Sequence, residues 1–335
     1  SALGRFLAWT PTPVLKVLVA VFGWMITLLP IQRNRDMRSN LHHAYPEKTD
    51  SWRKRVALLT SQRLVEMAVY SLASPYLSKR WYEKHLKIAP EVRKKMESAA
   101  ASGRGGVVLM PHICLFEMMP STPAVFESAK GQMGVYRPQS EPSLDRWLKA
   151  TRERWGMIFL SRKDGLREIT SAVRSGKLLT LLFDQNSGKR GYLFYFMDRL
   201  ASGTHLPGLL CQKFGAPAFF CLPRRSGFLQ VEVEFQRLPD PEHPADLILT
   251  SHQALENYLS ESEDKCAEWL WFHNRWRTRE SPRRRFSLRE TDNYLAESCQ
   301  FLNKTEPAKR FRLWIRMPNW LGDVVMAIPL IRALR

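Results

Sequence analysis

Val107-Val108-Leu109-Met110-Pro111-His112-Ile113-Cys114-Leu115-Phe116-Glu117 is the stretch on which the fold turns. Its first four residues form a short, wholly apolar run that stops at a proline. Three runs of the same kind follow, at Met133–Tyr136, Leu178–Phe183 and Ala218–Leu222. Helical patterns near 113–129, 141–155, 164–175 and 204–214 lie between them. This alternation predicts an α/β fold with a mostly parallel central sheet flanked by helices. Near-continuous apolar strands fit a sheet covered on both faces. Phe228–Phe235 alternates and reads as an edge strand, with a helix near 244–263 after it. Upstream, 51–74 reads as a helix capped by Asp50 or Ser51, lined by Trp52, Val56, Leu59, Leu64 and Met67, and stopped by Pro75.

The chain has 335 residues, and 51 Lys+Arg against 32 Asp+Glu give a formal charge of +19. With 44% hydrophobic and 25% charged residues, the composition is globular and excludes a disordered tail, a collagen or a multi-pass membrane protein. So basic a chain calls for a polyanionic partner. Five widely spaced cysteines with no C-x-x-C argue against a disulfide framework or zinc site. Val14–Leu29 is apolar except for Lys16, Gly23 and Thr27, and Arg33, Arg35 and Arg38 follow. Sixteen residues fall short of the ~20 that span a bilayer. The pattern predicts an N-terminal hydrophobic, membrane-associating helix with a basic collar, inserted shallowly at an anionic surface. A buried core helix is the alternative. The chain opens at Ser1 rather than Met, which leaves room for a preceding piece.

In open α/β sheets, sites form outside the carboxyl ends of the strands. Those ends here carry His112, then Arg137, then Asp184-Gln185, then Arg224-Arg225. His112 and Glu117 form an H-x4-E pattern. With Glu117 one helical turn on, its carboxylate would reach back to one imidazole nitrogen and fix the tautomer, leaving the other to take a proton. The spacing alone is common, and a helix-start histidine with an incidental glutamate has the same pattern. Arg137 and Arg152 are candidates for holding a phosphate or an oxyanion, or belong to a solvated face. Asp184 is equally a turn or helix cap. Cys114 has no second histidine near it in sequence and reads as a small buried residue.

Taken together, these residues resemble the late acyltransferases of lipid A biosynthesis, within the lysophospholipid acyltransferase superfamily. The His112–Glu117 stretch resembles that family's first motif. Asn40-Leu41 with Ala44-Tyr45-Pro46-Glu47 resembles its early N-L…(F/Y)-P-E segment, and Tyr136-Arg137-Pro138 its Y-R-P. Gly176-Lys177…Phe183-Asp184-Gln185 resembles its G-x-x-v…D-Q. Glu268-Trp269-Leu270-Trp271-Phe272-His273-Asn274-Arg275-Trp276-Arg277 resembles its closing stretch. The likeness covers about residues 5–280. Tyr195-Phe196-Met197-Asp198 stands where the family commonly has F-F-G, so acceptor and chain length stay unspecified.

The resemblance implies acyl transfer from acyl carrier protein to a hydroxyl of a lipid A precursor, without a covalent intermediate. His112 would be the general base, Glu117 its orienter, and Arg152 and Asp184 further catalytic residues. Arg137, Gln185 and Arg154 would bind substrate. No metal and no cofactor is implied beyond the acyl carrier protein co-substrate. A phosphorylated glycolipid acceptor and anionic inner-membrane lipid would be the other partners, at the cytoplasmic face of a bacterial inner membrane. An apolar slot for the acyl chain is expected near 192–210. Acylation of another glycolipid or a lysophospholipid is the nearest alternative. A nonenzymatic basic module is the alternative of another class, although no nucleic-acid recognition motif is present.

Arg312-Leu313-Trp314-Ile315-Arg316-Met317, then Leu321-Gly322-Asp323 and a helix to Leu334, resemble the opening of an ADP-heptose-dependent heptosyltransferase. So short a piece cannot bury its own core. The expected organisation is a membrane-associating segment at 1–50, an acyltransferase domain at 51–285, a linker at 286–310 and the severed start of a glycosyltransferase-like domain at 311–335.

Overall fold

The computed structural model describes residues 1–162, 165–188, 191–277, 294–303 and 321–334. Its strands are β1 (Leu86–Lys87), β2 (Gly106–Met110), β3 (Met133–Tyr136), β4 (Ile158–Ser161), β5 (Leu178–Leu182), the hairpin β6 (Tyr192–Phe196) and β7 (Arg199–Gly203), β8 (Ala218–Gly227) and β9 (Gln230–Arg237). Seven of them form one sheet in the order β1-β9-β8-β2-β5-β3-β4. Only the β8–β9 pairing is antiparallel. The fold is therefore α/β with a mostly parallel central sheet. β9 is not an edge strand: the two-residue β1 pairs along its far side.

The helices are α1 (Ala2–Trp9), α2 (Thr12–Leu28), α3 (Gln32–Ala44), α4 (Asp50–Ala73), α5 (Lys79–His85), α6 (Pro90–Ala101), α7 (Pro142–Glu153), α8 (Leu166–Arg174), α9 (Leu206–Phe214), α10 (Asp246–Ser260), α11 (Glu263–Cys266), α12 (Leu295–Phe301) and α13 (Leu321–Leu334). β2 is buried at all five positions, and its alternate residues divide between two cores, as the period of a strand requires. Val107 and Leu109 join Leu179, Leu181 and Phe220 against α8, α9 and α10. Val108 and Met110 join Leu178 and Phe219 against α4, α5 and α6.

The segment after His112 is not an α-helix. Leu115 takes a left-handed conformation (φ 63°), and Phe116–Ala124 and Glu127–Ala129 form 3-10 turns. Pro120 and Pro123 lie inside the first, where each removes an N–H and crowds the preceding carbonyl. Part of the expected linker is ordered against the core. Tyr294 donates its backbone N–H to Leu193 O at 2.7 Å, and Ser298 Oγ accepts from Tyr195 N at 3.4 Å. Residues 312–317 and the arginines between Arg277 and Tyr294 lie outside the described residues.

Among the described residues, no single helix is long and apolar enough to cross a membrane. α1 and α2 meet those limits only as a pair, bent by 119°. One side of the pair packs on α4 through Leu7, Leu15 and Val19. The other leaves Phe6, Trp9, Val17, Phe22 and Trp24 exposed.

Candidate active site

Met110 and Leu182 are partners in the parallel β2–β5 pairing. Two residues further along each strand come His112 and Asp184, so the register itself sets them side by side. His112 Nδ1 lies 2.7 Å from Asp184 Oδ1, and the His112 amide donates to Oδ2 at 2.9 Å. A third donor arrives from far along the chain. Leu270 N donates to His112 O at 3.0 Å, Cys114 N donates to Glu268 O at 2.7 Å, and Ile113 and Trp269 form an antiparallel bridge. This clip brings Trp269 Nε1 to within 2.6 Å of Asp184 Oδ2.

Asp184 is 2% exposed. Burial pushes its carboxyl up, but the neighbouring His112 and the bonds from His112 and Trp269 outweigh this and hold it well below the usual carboxylate range. On the other side of the ring, Gln185 Nε2 sits 3.1 Å from His112 Nε2. An amide nitrogen only donates. With Gln185 so assigned, Nε2 accepts, and the imidazole proton sits on Nδ1 facing Asp184. That is the tautomer a general base needs.

Glu117 does not orient His112. Its hydrogen bonds go to Arg152 of α7, at 2.9 Å from Nε and 2.6 Å from Nη2. The left-handed turn at Leu115 and the 3-10 backbone remove the helical turn on which the expected contact depended. Arg152 also lies over the Phe159 ring at 5.8 Å. Arg154 points elsewhere, with Nη1 bonded to the Ser74 and Leu77 carbonyls at 2.9 Å each. Arg137 is exposed just beyond β3. Arg224 and Arg225 do not emerge at the strand ends. They lie within β8, where Arg224 pairs with Glu232 at 2.6 Å and Arg225 with the fully buried Glu66 at 3.0 Å. Cys114 is buried, and burial pushes its thiol up. Among the described residues no group of His, Cys, Asp and Glu has the arrangement of a metal site.

The closing stretch contributes more than Trp269. Asn40 of α3 donates to the Trp271 and His273 carbonyls at 2.8 and 2.7 Å. Asn186 returns the support, its amide donating to His273 Nε2 at 3.1 Å and its side chain to Arg275 O at 2.9 Å. Burial and nearby Arg275 pull His273 down to about 4, so it stays a neutral acceptor. Arg275 is fully buried. It donates to Ser202 O and His252 Nε2 and lies over Phe194 and Phe196. The expected acyl slot near 192–210 is thus filled at its aromatic positions: Phe194 and Phe196 are fully buried core.

The sequence has known relatives. Residues 1–278 match the bacterial lipid A biosynthesis acyltransferase family. The chain is 25% identical over 294 residues to a lipid A biosynthesis acyltransferase of Haemophilus influenzae, covering 83% of this chain and 89% of that one. It is 22% identical over 283 residues to the lipid A biosynthesis lauroyltransferase of Escherichia coli (80% and 87%), and 23% identical over 293 residues to the palmitoleoyltransferase of the same organism (83% and 90%). The chain belongs to the bacterial lipid A biosynthesis acyltransferase family. It is an acyltransferase.

Proposed function

We propose that the chain moves a fatty acyl group from an acyl carrier protein thioester to a hydroxyl of a phosphorylated lipid A precursor. The observation that carries this reading is the His112–Asp184 pair, set at the carboxyl ends of adjacent central strands in a chain of this family. His112 Nε2 takes the proton of the acceptor hydroxyl while Asp184 stabilises the imidazolium that forms. The oxygen attacks the thioester carbonyl directly, the C–S bond breaks, and the proton passes from His112 to the departing thiolate. No protein nucleophile takes part, and no metal or cofactor is called for. Gln185, already on Nε2, yields that position to the acceptor hydroxyl. Glu117 fixes Arg152, which offers its positive charge to the oxyanion or to an acceptor phosphate. Arg137, exposed beyond β3, is our candidate to meet the phosphorylated acceptor; Arg154 braces the backbone instead.

The exposed apolar side of α1 and α2, beside Arg33, Arg35 and Arg38, supports docking on the anionic cytoplasmic leaflet of an inner membrane. Expression in a host lacking its own late acyltransferase tests the function. Mass spectrometry of extracted lipid A is expected to show one added acyl chain. An unchanged lipid A profile with abundant protein contradicts it.

A further inference from the structure

A small cleft beside His112 is lined by Thr60, Arg63, Leu64 and Met67 of α4, by Phe116, and by Glu268–Leu270 and Phe272. Two polar atoms on its α4 wall are buried without a hydrogen-bond partner: Thr60 Oγ1 and Arg63 Nε. A threonine inside a helix ordinarily bonds the carbonyl four residues back. The neighbouring Ser61 does so, to Ala57 O at 3.0 Å, but Thr60 does not. Arg63 reaches Glu66 and Asp264 through its terminal nitrogens, at 3.4 and 3.1 Å, which leaves Nε free. Thr60 and Arg63 stand one turn apart on the same helix, so they share a face. Buried donors left unmade are costly and rare, and these two line the same cleft as His112.

We propose that this cleft receives the carbonyl oxygen of the acyl donor's thioester, with the Thr60 hydroxyl and Arg63 Nε–H donating to it. This assignment rests on the acyl-transfer reading above. When the acceptor oxygen forms its bond to the carbonyl carbon, the π pair moves to the carbonyl oxygen. The two donors then meet an oxyanion, where such bonds strengthen. Collapse of that intermediate restores the carbonyl and expels the thiolate, which takes its proton from His112. Glu268 on the opposite wall suits this arrangement in its neutral form, and burial raises its carboxyl to about 7.

Thr60→Val removes the hydroxyl and keeps the shape. Acyl transfer by the full chain, measured with carrier-protein thioester and lipid A precursor varied separately, is expected to lose on the order of 10²-fold in kcat. KM for the acceptor stays unchanged, the melting temperature does not fall, and Thr60→Ser restores most of the rate. A Thr60→Val enzyme within twofold of wild type overturns the proposal. Should wild type transfer no acyl group, the acyl-transfer reading fails, and calorimetric binding of a non-reactive acyl-pantetheine ketone analogue decides the cleft. Binding weakened by Thr60→Val and restored by Thr60→Ser supports it. Equal binding, or none to wild type, overturns it.

Discussion

Arg152 grips Glu117 with two nitrogens of one guanidinium, Nε at 2.9 Å and Nη2 at 2.6 Å, and both side chains are mostly shielded from solvent. A fork of this kind fixes position as well as charge. On the proposed mechanism Glu117 acts through Arg152. Glu117→Gln and Arg152→Lys are each expected to lower the transfer rate about 10²-fold, and the double variant no further than the worse single one. A double-mutant cycle of kcat/KM measures this; fully additive losses would show that the two residues work separately.

Asp184 accepts from three donors and sits opposite the base nitrogen of His112. Asp184→Asn keeps the shape but presents an amide where a charge is needed. The rate is expected to fall about 10³-fold, with acceptor KM little changed. A steady-state comparison checks it, and a loss confined to KM would remove Asp184 from the chemistry.

Much of this pair was legible in the chain. Apolar runs ending at Met110 and near Phe183 place His112 and Asp184 at strand ends without any structure. Their adjacency was not legible, because it depends on which parallel strands are neighbours, a matter of tertiary packing. The misassigned partner of His112 has a local cause. H-x4-E spans one turn only if the backbone stays α-helical, and Pro120 and Pro123 were the visible signal that it would not. Trp269 lies 85 residues from Asp184, and no local pattern joins them. The β6–β7 hairpin was missed because its turn, Met197-Asp198, takes two positive φ angles of 53° and 55° without the Asn-Gly or Asp-Gly pair that usually announces one.

Glu268 gives the protein a pH signature. Burial raises its carboxyl from an ordinary 4.5 to about 7, against the opposing bond from the Tyr258 hydroxyl. Between those values the folded state holds more protons than the unfolded one, so this group's contribution to stability falls as pH rises. Glu268→Gln removes that dependence. Relative to wild type, the variant is expected to gain up to about 3 kcal/mol between pH 4.5 and pH 8. Urea unfolding at the two pH values measures it, and parallel curves for the two proteins would contradict it.

Phe6 and Trp9 are 62% and 86% exposed at the bend between α1 and α2. Replacing both with serine is expected to weaken sedimentation with anionic phospholipid vesicles at least tenfold, and added salt to weaken the wild type as the basic collar is screened. Acyl transfer to detergent-dispersed acceptor should persist. Undiminished vesicle binding by the double variant would place the membrane contact elsewhere.

The most direct test of the account is the rate of free-thiol release from carrier-protein thioester by the full-length His112→Ala variant with lipid A precursor present. The proton acceptor is then gone while Asp184, Trp269 and the sheet remain. The account predicts a loss of about 10³-fold or more relative to wild type, with the melting temperature preserved. A His112→Ala protein that transfers acyl groups at the wild-type rate would contradict it.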